Sequence, residues 1–560
     1  MSLSHPNLPK SILALRVYTA QMFFHDLLAG VTVGLVALPL AMAFGIASGV
    51  TPQAGLYTAV VAGFLISALG GSRTQIGGPT GAFVVIVAGI VGHFGMSGLA
   101  MVTLMAGVIL LLMGLTGLGA AVQFIPRMVV IGFTNGIAIL IASTQIKDFF
   151  GLRTPAVPSE FLPRMRLLVT HFRSLNPEAL ALGLGTLAIL LVLPRLTRRI
   201  PASIVAVLVC TGVSVVLHLP VETIGTRFGG IPRGLPPIAV PSFHPEHILP
   251  LVPAAFTVAV LAALESMLSA VVADGMTGDR HNSNVELVAQ GFANMISPLF
   301  GGIPATGAIA RTATNIRAGA RSPVSGMIHA LTLLVILLVA APLASYIPLA
   351  TLAAVLFVVA YNMGEWNEIG GVLRLDFTAM SVWLVTFALT VFADLTVAVA
   401  VGLGLAALLY IRRVADTTTV STVTDDYIRD GLAHVLQGRI VPSYVTVLRI
   451  HGPFLFGATE KLVEATVNLD AFETIVILRL RNMTAIDATG IHAIETFAKR
   501  LHESGRTLLL CGAMEQPSKL LSGSRFLDRL GRENIMPNIQ AALDRAKQIQ
   551  SAQHPVAAAS

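Results

Sequence analysis

Between Leu27 and Tyr410 the chain is a succession of apolar runs, each about 20 residues long and broken at Gly, Pro or small charged clusters. A helix of that length spans the hydrocarbon core of a bilayer, where only helices and closed barrels satisfy their backbone polar groups. The runs predict about fourteen segments, two of them too short to cross alone. Composition agrees: 54% of residues are hydrophobic and 12% charged, against about 25% charged in a soluble globular protein. A soluble enzyme is excluded on that ground. Charge is also unevenly spread, with 33 charged residues in 1–410 and 32 in 411–560. That step in density predicts two domains of different solvent class.

The net charge of +7 does not point to nucleic acid, because Lys and Arg sit in short connections between apolar runs and do not alternate with aromatics. Such placement marks cytoplasmic loops. Pro194–Ile200, Asp279–His281, Arg317–Arg321 and Arg412–Arg413 fall on one side if an even number of spans precedes each, which puts both termini in the cytoplasm. The connection Lys147–Glu178 disagrees, since it carries five cations on the opposite side, and its stretch Phe161–Phe172 reads as an interfacial amphipathic helix. Cys210 and Cys511 form neither a disulfide framework nor a zinc pattern and read as core residues. No signal peptide is expected.

An internal repeat constrains function. Gly77-Gly78-Pro79-Thr80-Gly81-Ala82 recurs as Gly301-Gly302-Ile303-Pro304-Ala305-Thr306-Gly307-Ala308, and each copy opens a short apolar segment, Ala82–Val91 and Ala308–Ala313. Paired, Gly/Pro-interrupted short segments in two halves of a membrane chain point to a transport site at the midplane. A helix that starts inside the membrane aims free N–H groups and a positive dipole end at what precedes it, so two facing starts make an anion site. Thr80 would supply an N-cap-like hydroxyl and Gly81 a close backbone approach, with Gly307, Ala308, Ile309 and Ala310 opposite. The alternative is that Thr80 and Thr306 are ordinary caps. Arg311 would strengthen the positive field or anchor the cytoplasmic end of its segment.

Glu265 is the one ionisable side chain in Ala254–Ala273. An intramembrane carboxyl usually marks an ion or proton pathway, so Glu265 is the candidate for proton or cation coupling, with Ser269 one turn on. The alternative is a structural carboxyl bonded to a helix break. Asp394 reads as a loop or cap residue, and His281 as a solvated histidine with no metal-ligand spacing. No hydrolase triad, glycosidase carboxylate pair, Walker loop or dinucleotide fingerprint stands in a suitable context, so neither cofactor nor metal is expected. From about Tyr444 the pattern becomes that of a soluble α/β domain: strands Val445–Ile450, Thr474–Leu480 and Thr507–Cys511, helices Gly490–Glu503, Pro517–Leu530 and Asn538–Gln550. Asp487-Ala488-Thr489-Gly490, between strand and helix, reads as an N-cap.

Ala29-Gly30-Val31-Thr32-Val33-Gly34 with Pro39, then Gly49–Tyr57 (GVTPQAGLY), the GGPTGA break and the Gly301–Thr312 stretch together resemble the SulP/SLC26 anion transporters, and the C-terminal part resembles their STAS domain. The helix-break sequence is similar to that of the bacterial branch that carries C4-dicarboxylates. The resemblance implies an α-helical polytopic membrane protein, seven plus seven segments in an inverted repeat divided into core and gate domains, with a C-terminal cytoplasmic α/β STAS domain. The expected division is 1–25 cytoplasmic, 26–412 transmembrane (repeats at about 26–220 and 250–412), 413–440 linker, 441–550 STAS and 551–560 tail. It also implies elevator-type transport and a homodimer. The carried-over anion site is Thr80, Gly81, Ala82, Ala308, Ile309 and Ala310, with Phe44 as the aromatic beside the anion. Where a sodium-coupled member has Asp, Thr and Thr, this chain has Glu265, Ser269 and Ile309, which suits a proton better than sodium. STAS-like bacterial regulators carry a phosphorylatable Ser where this chain has Ala488, leaving Asp487 and Thr489 as a candidate regulatory loop. The function classes that follow are a proton-coupled symporter of C4-dicarboxylate, bicarbonate or sulfate across the bacterial inner membrane, an exchanger or sodium symporter, and a membrane scaffold whose STAS domain binds a protein.

Overall fold

A computed structural model describes residues 8–119, 126–197, 201–231, 234, 238, 246, 248–374, 377–393, 395–422, 441–467, 469–523, 526 and 530–553. Asp394, residues 198–200 of the basic connection, 423–440 of the expected linker and 554–560 of the tail lie outside the described residues. The chain divides into two compact units, Met1–Gly404 and Leu405–Ser560.

The first unit is helical. Among the described residues, nine helices are long and apolar enough to cross a membrane, and Ala202–Val216 and Phe377–Phe392 are shorter apolar ones. The first expected short segment is part of Val84–Leu115, which is interrupted at Gly95, a residue with φ 67° and ψ −169°. Such a backbone is open to glycine and strained for other residues. Split there, the described segments fall into two sets of like order. The first comprises Ala20–Ala47, Pro52–Leu69, the two parts of Val84–Leu115, Arg127–Phe149, Pro177–Leu196 and Ala202–Val216. The second comprises Ile248–Thr277, Ser283–Ile296, Ile309–Arg317, Val324–Ala344, Leu349–Met363, Phe377–Phe392 and Leu395–Thr417.

Glycine sets how closely these helices pack, because lipid removes the hydrophobic drive and leaves van der Waals contact. Gly30 and Gly34, four apart in Ala20–Ala47, lie against Val324–Ala344: a Cβ on Gly30 would meet the Ser325 carbonyl at 2.5 Å, and one on Gly34 would meet Thr332 Cβ at 2.8 Å. Gly107 and Gly114 play the same part against Ser283–Ile296. Asp26, fully buried near the start of Ala20–Ala47, fastens the chain after Ile309–Arg317: its carboxylate accepts from the amides of Arg321 (2.7 Å) and Ser322 (3.1 Å), the Ser322 hydroxyl (2.6 Å) and the Tyr18 hydroxyl (2.9 Å).

The stretch expected to form an interfacial helix is helical at Phe161–Thr170, and Arg164 on it is 2% exposed, packed inside the protein. Its guanidinium donates to Ser143 Oγ at 2.8 Å and to the carbonyls of Pro158 and Ser159. That removes one of the five cations that disagreed with the charge rule.

The second unit holds a five-stranded sheet in the order β3 (Thr419–Thr422), β4 (Val445–Phe454), β5 (Ile475–Ile486), β6 (Thr507–Cys511) and β7 (Ile535–Met536). β3 is antiparallel to β4 and the remaining pairs are parallel. β3 falls inside the expected linker 413–440, and β7 is only two residues long. Helices Ala488–Glu503 and Ile539–Gln553 pack on opposite faces through separate apolar clusters, one around Ile494, Phe497 and Leu480, the other around Leu543, Ala546 and Ile477. Covering both faces explains the continuous apolar runs of β4 and β5.

Candidate functional site

The two repeated breaks meet. β1 (Gly77–Gly78) and β2 (Thr306–Gly307) pair antiparallel, Gly77 opposite Gly307 and Gly78 opposite Thr306. The pairing continues as the Ala308 amide donates to the Ile76 carbonyl at 2.8 Å. Backbone groups that have left a helix inside a membrane need partners, and each break satisfies the other.

Hydroxyls lock this crossing to the neighbouring helices. Thr306 Oγ1 donates to the Ala262 carbonyl at 2.8 Å and lies 2.8 Å from Ser266 Oγ, which accepts from the Gly307 amide at 3.0 Å. Asn294 exchanges two 2.8 Å bonds with the Ala305 backbone. Thr312 Oγ1 accepts from the Ile76 amide at 3.0 Å and pairs with Ser269 Oγ at 2.9 Å. Ser269 is therefore part of the lock, one turn from Glu265 in sequence but bonded to Thr312; the small polar site expected of the two does not form.

Beyond the crossing, two helices start towards one cavity of about 380 Å³, lined by Phe44, Thr80, Gly81, Phe133, Glu265, Ala308, Ile309, Ala310, Arg311, Asn362, Met363 and Glu365, among others. A tight turn, Gly81–Phe83, leads into Val84–Leu115; Ile309–Arg317 starts opposite. The amides of Ile309, Ala310 and Arg311 open their helix and have no carbonyl one turn back. Gly81 is a close approach: a Cβ there would meet Met363 Sδ at 2.6 Å.

Neither the Thr80 nor the Thr306 hydroxyl caps a helix, although Thr80 stands at the cap position of Gly81–Phe83. Thr80 makes no side-chain cap bond; its hydroxyl donates to Glu265 Oε2 at 2.8 Å. Thr306 is fully buried two residues before the cap position, which Ala308 occupies. Ala82 is 1% exposed, packs into the core and does not line the cavity. Glu265 is bonded across to the opposite repeat at the cavity wall, where the sequence had left open a purely structural role.

Arg311 is 3% exposed, so it is no surface anchor. Its Nη2 donates to the Pro79 carbonyl, and its Nη1 has no hydrogen-bond partner. Gly78, with φ +146°, makes room for it: a Cβ there would meet Nη1 at 2.7 Å. The site thus brings together a carboxyl held by a threonine, a buried cation with a free N–H, and two helix starts. An unpaired guanidinium N–H in such a place calls for an anionic partner.

Sequence reasoning missed Asn362, Met363 and Glu365. Glu365 is held by its amide donating to Asn135 Oδ1 at 2.8 Å; an ionisable residue directly after an apolar run was the available signal. His281 is half-buried and its Nδ1 lies 2.7 Å from Asp274 Oδ2, so it is paired rather than solvated. In the second unit Asp487 caps its helix as expected, accepting from the Gly490 amide at 2.8 Å, and also holds the Phe456 amide at 3.1 Å. Thr489 is exposed.

The sulfate permease family matches residues 23–386 and the STAS domain matches residues 438–542. YvdB of Bacillus subtilis (strain 168), provisionally named a sulfate transporter, is 43% identical over 520 residues, covering 92% of this chain and 97% of YvdB. The bicarbonate transporter BicA of Picosynechococcus sp. is 32% identical over 543 residues, covering 93% of this chain and 94% of BicA. Among solved structures, that of SLC26A9 superposes with a TM-score of 0.85 at 19% identity over 98% of this chain and 94% of the other, a likeness of fold. The chain is a multi-pass membrane protein of the sulfate permease family, an anion transporter and not an enzyme, with a STAS domain at its C-terminal end.

Proposed function

We propose that the chain is a secondary transporter that moves a small oxyanion, bicarbonate or sulfate before a C4-dicarboxylate, together with a proton. The anion binds in the 380 Å³ cavity at the starts of the two broken helices, against Phe44, Thr80, Gly81, Ala308, Ile309 and Ala310, with Arg311 supplying a fixed positive charge. Glu265 carries the proton. The protein works as a homodimer in the bacterial inner membrane, with its N-terminus and STAS domain in the cytoplasm. The helices that hold the crossing move as one body against the others in an elevator-type step.

One observation carries the coupling: the Thr80 hydroxyl donates to Glu265 at 2.8 Å. A hydroxyl has one proton to give. An anion arriving at the Gly81 turn competes for it and brings a second negative charge beside the carboxylate. A protonated Glu265 removes that repulsion and can itself donate to Thr80 Oγ1, freeing the hydroxyl for the anion. Proton and anion therefore favour each other's binding, the linkage a symporter needs. Sodium is disfavoured, because Ile309 offers no hydroxyl and that of Ser269 is committed to Thr312.

The test is uptake of labelled bicarbonate, sulfate and succinate into proteoliposomes under an imposed pH gradient, with a sodium gradient in parallel. Concentrative uptake driven by the pH gradient is expected. Glu265→Gln should bind the anion and lose pH-driven accumulation; Thr80→Ser should retain coupling and Thr80→Val should not. Accumulation unchanged in Glu265→Gln, or uptake that needs only an internal anion, refutes proton symport.

A further inference from the structure

The membrane unit contains a second, larger cleft that the anion site does not use. It measures about 1510 Å³ and is lined by five elements, one of them the start of Ala202–Val216 at Pro201 to Ser203. Thr32 and Val36 come from Ala20–Ala47, and Leu187 to Thr197 from the end of Pro177–Leu196. Thr314 and Arg317 come from the end of Ile309–Arg317, and Phe357 to Asn362 from Leu349–Met363. We propose that this cleft is a binding site for an anionic phospholipid, its acyl chains along the leucine wall and its phosphate between Arg195 and Arg317.

Charge and depth both support this occupant. Among the described residues the lining holds two cations, Arg195 and Arg317, and no acid. Both are exposed, and among the described residues neither makes an ion pair. The rest of the lining is largely apolar, with Leu187, Leu190 and Leu191 on the turns before Arg195 and with Val36, Phe357 and Val358 from other helices. The helix of those leucines, Pro177–Leu196, is the kind that faces lipid, with only 22% of its apolar window buried. At a rise of 1.5 Å per residue, Leu187 to Arg195 covers about 12 Å, close to the ~15 Å depth of one leaflet's hydrocarbon. A chain lying on the leucines therefore brings its headgroup level with the arginines. A small anion has no use for such a wall, and the cleft is about four times the volume of the anion cavity.

Position gives the site a consequence. The cleft separates Ile309–Arg317, whose other end opens the anion cavity, from Pro177–Leu196 and Leu349–Met363, and Asn362 lines both cavities. A lipid here contacts both groups of helices at once.

The experiment is native mass spectrometry of the full chain purified with mixed phosphatidylglycerol and phosphatidylcholine. Preferential retention of phosphatidylglycerol is expected. A basic residue at the membrane surface contributes about 1 kcal/mol of attraction, a factor of roughly five, so Arg195→Gln with Arg317→Gln should reduce the preference roughly 25-fold. Leu187→Trp, which fills the wall and keeps both arginines, should lower retention of both lipids. A preference unchanged in the double variant overturns the proposal. So does protection of a Leu190→Cys variant from a water-soluble thiol reagent by sulfate but not by phosphatidylglycerol, which would make the cleft an anion route; the native Cys210 and Cys511 are buried and contribute little background.

Discussion

Replacing Arg311 by Gln tests whether a fixed cation holds the anion. The side chain is 3% exposed and lines the 380 Å³ cavity; Nη2 is committed to the Pro79 carbonyl and Nη1 has no hydrogen-bond partner. Glutamine removes the charge together with the free N–H, and its shorter side chain also gives up the bond to the Pro79 carbonyl. A hydrogen bond to a charged group is worth about 1.5–3 kcal/mol, which at 1.4 kcal/mol per tenfold corresponds to a roughly 10- to 150-fold rise in Kd. Arg311→Lys keeps the charge without the planar fork and should fall between the two. The assay is direct binding of bicarbonate and sulfate to purified protein at fixed pH, with thermal unfolding to verify the fold. Gly78→Ala gives a second route to the same result, because its Cβ would lie 2.7 Å from Nη1 on a residue with φ +146° and so displaces the guanidinium without deleting it. A Kd within twofold of the parent for both anions in folded Arg311→Gln would falsify the role of the cation and leave recognition to the helix starts alone.

Asp26→Ala should destabilise the membrane unit by about 3 kcal/mol or more, because it strips four donors of their acceptor in a fully buried position; Asp26→Asn should lose less, and thermal unfolding in detergent ranks the three. In the second unit, Asp487→Ala removes the acceptor of both the Gly490 and Phe456 amides and should cost about 1–2 kcal/mol, read as faster hydrogen exchange at the start of Ala488–Glu503. Burial pushes the Cys511 thiol from its ordinary 9.0 up to about 12. Native protein should therefore resist iodoacetamide at pH 8 at this residue and react once unfolded. The sign for stability follows: above about pH 9 the unfolded thiol has lost its proton while the native one keeps it, so this group leaves stability unchanged below pH 9 and lowers it progressively between 9 and 12. A second unit whose exchange protection does not weaken across that interval contradicts the assignment.

Much of the fold was legible because its signals are local. Bilayer thickness sets the apolar run length, so the spans could be read one at a time, and the repeated GGPTGA and GGIPATGA breaks located the crossing of the two halves. Less legible was what lies at a distance. Thr80 and Thr306 look alike in sequence, yet one hydroxyl reaches Glu265 and the other is buried against Ala262 and Ser266. Helical spacing placed Ser269 beside Glu265, but its hydroxyl pairs with that of Thr312 at 2.9 Å. Arg311 was ambiguous because an arginine at a short helix is a surface anchor or a buried cation depending on how its neighbours pack; Gly78 decides that, 233 positions away in sequence. β3 and β7 escaped for another reason, being edge strands of four and two residues with no alternation long enough to read.

The antiparallel pairing of the breaks makes the two halves of the site depend on each other. Gly77 and Gly78 take their backbone partners from Gly307 and Thr306, and Ala308 takes its own from Ile76. Neither helix start can be displaced without leaving main-chain groups unpaired in a membrane interior, where each costs several kcal/mol. Ser266, Thr312 and Asn294 extend that constraint to Ile248–Thr277, Ile309–Arg317 and Ser283–Ile296. Glu265 shares a helix with Ser266, so the carboxyl is carried with the crossing and keeps its 2.8 Å contact with Thr80. The walls opposite are different. Phe133, Val359 and Leu403 meet the cavity through apolar side chains, interrupted by Thr134, Asn362 and Glu365, and apolar surfaces can slide without breaking hydrogen bonds. A polar, cross-braced block facing a largely apolar wall is an arrangement in which a bound anion can travel with the block while the surface beside it stays in place.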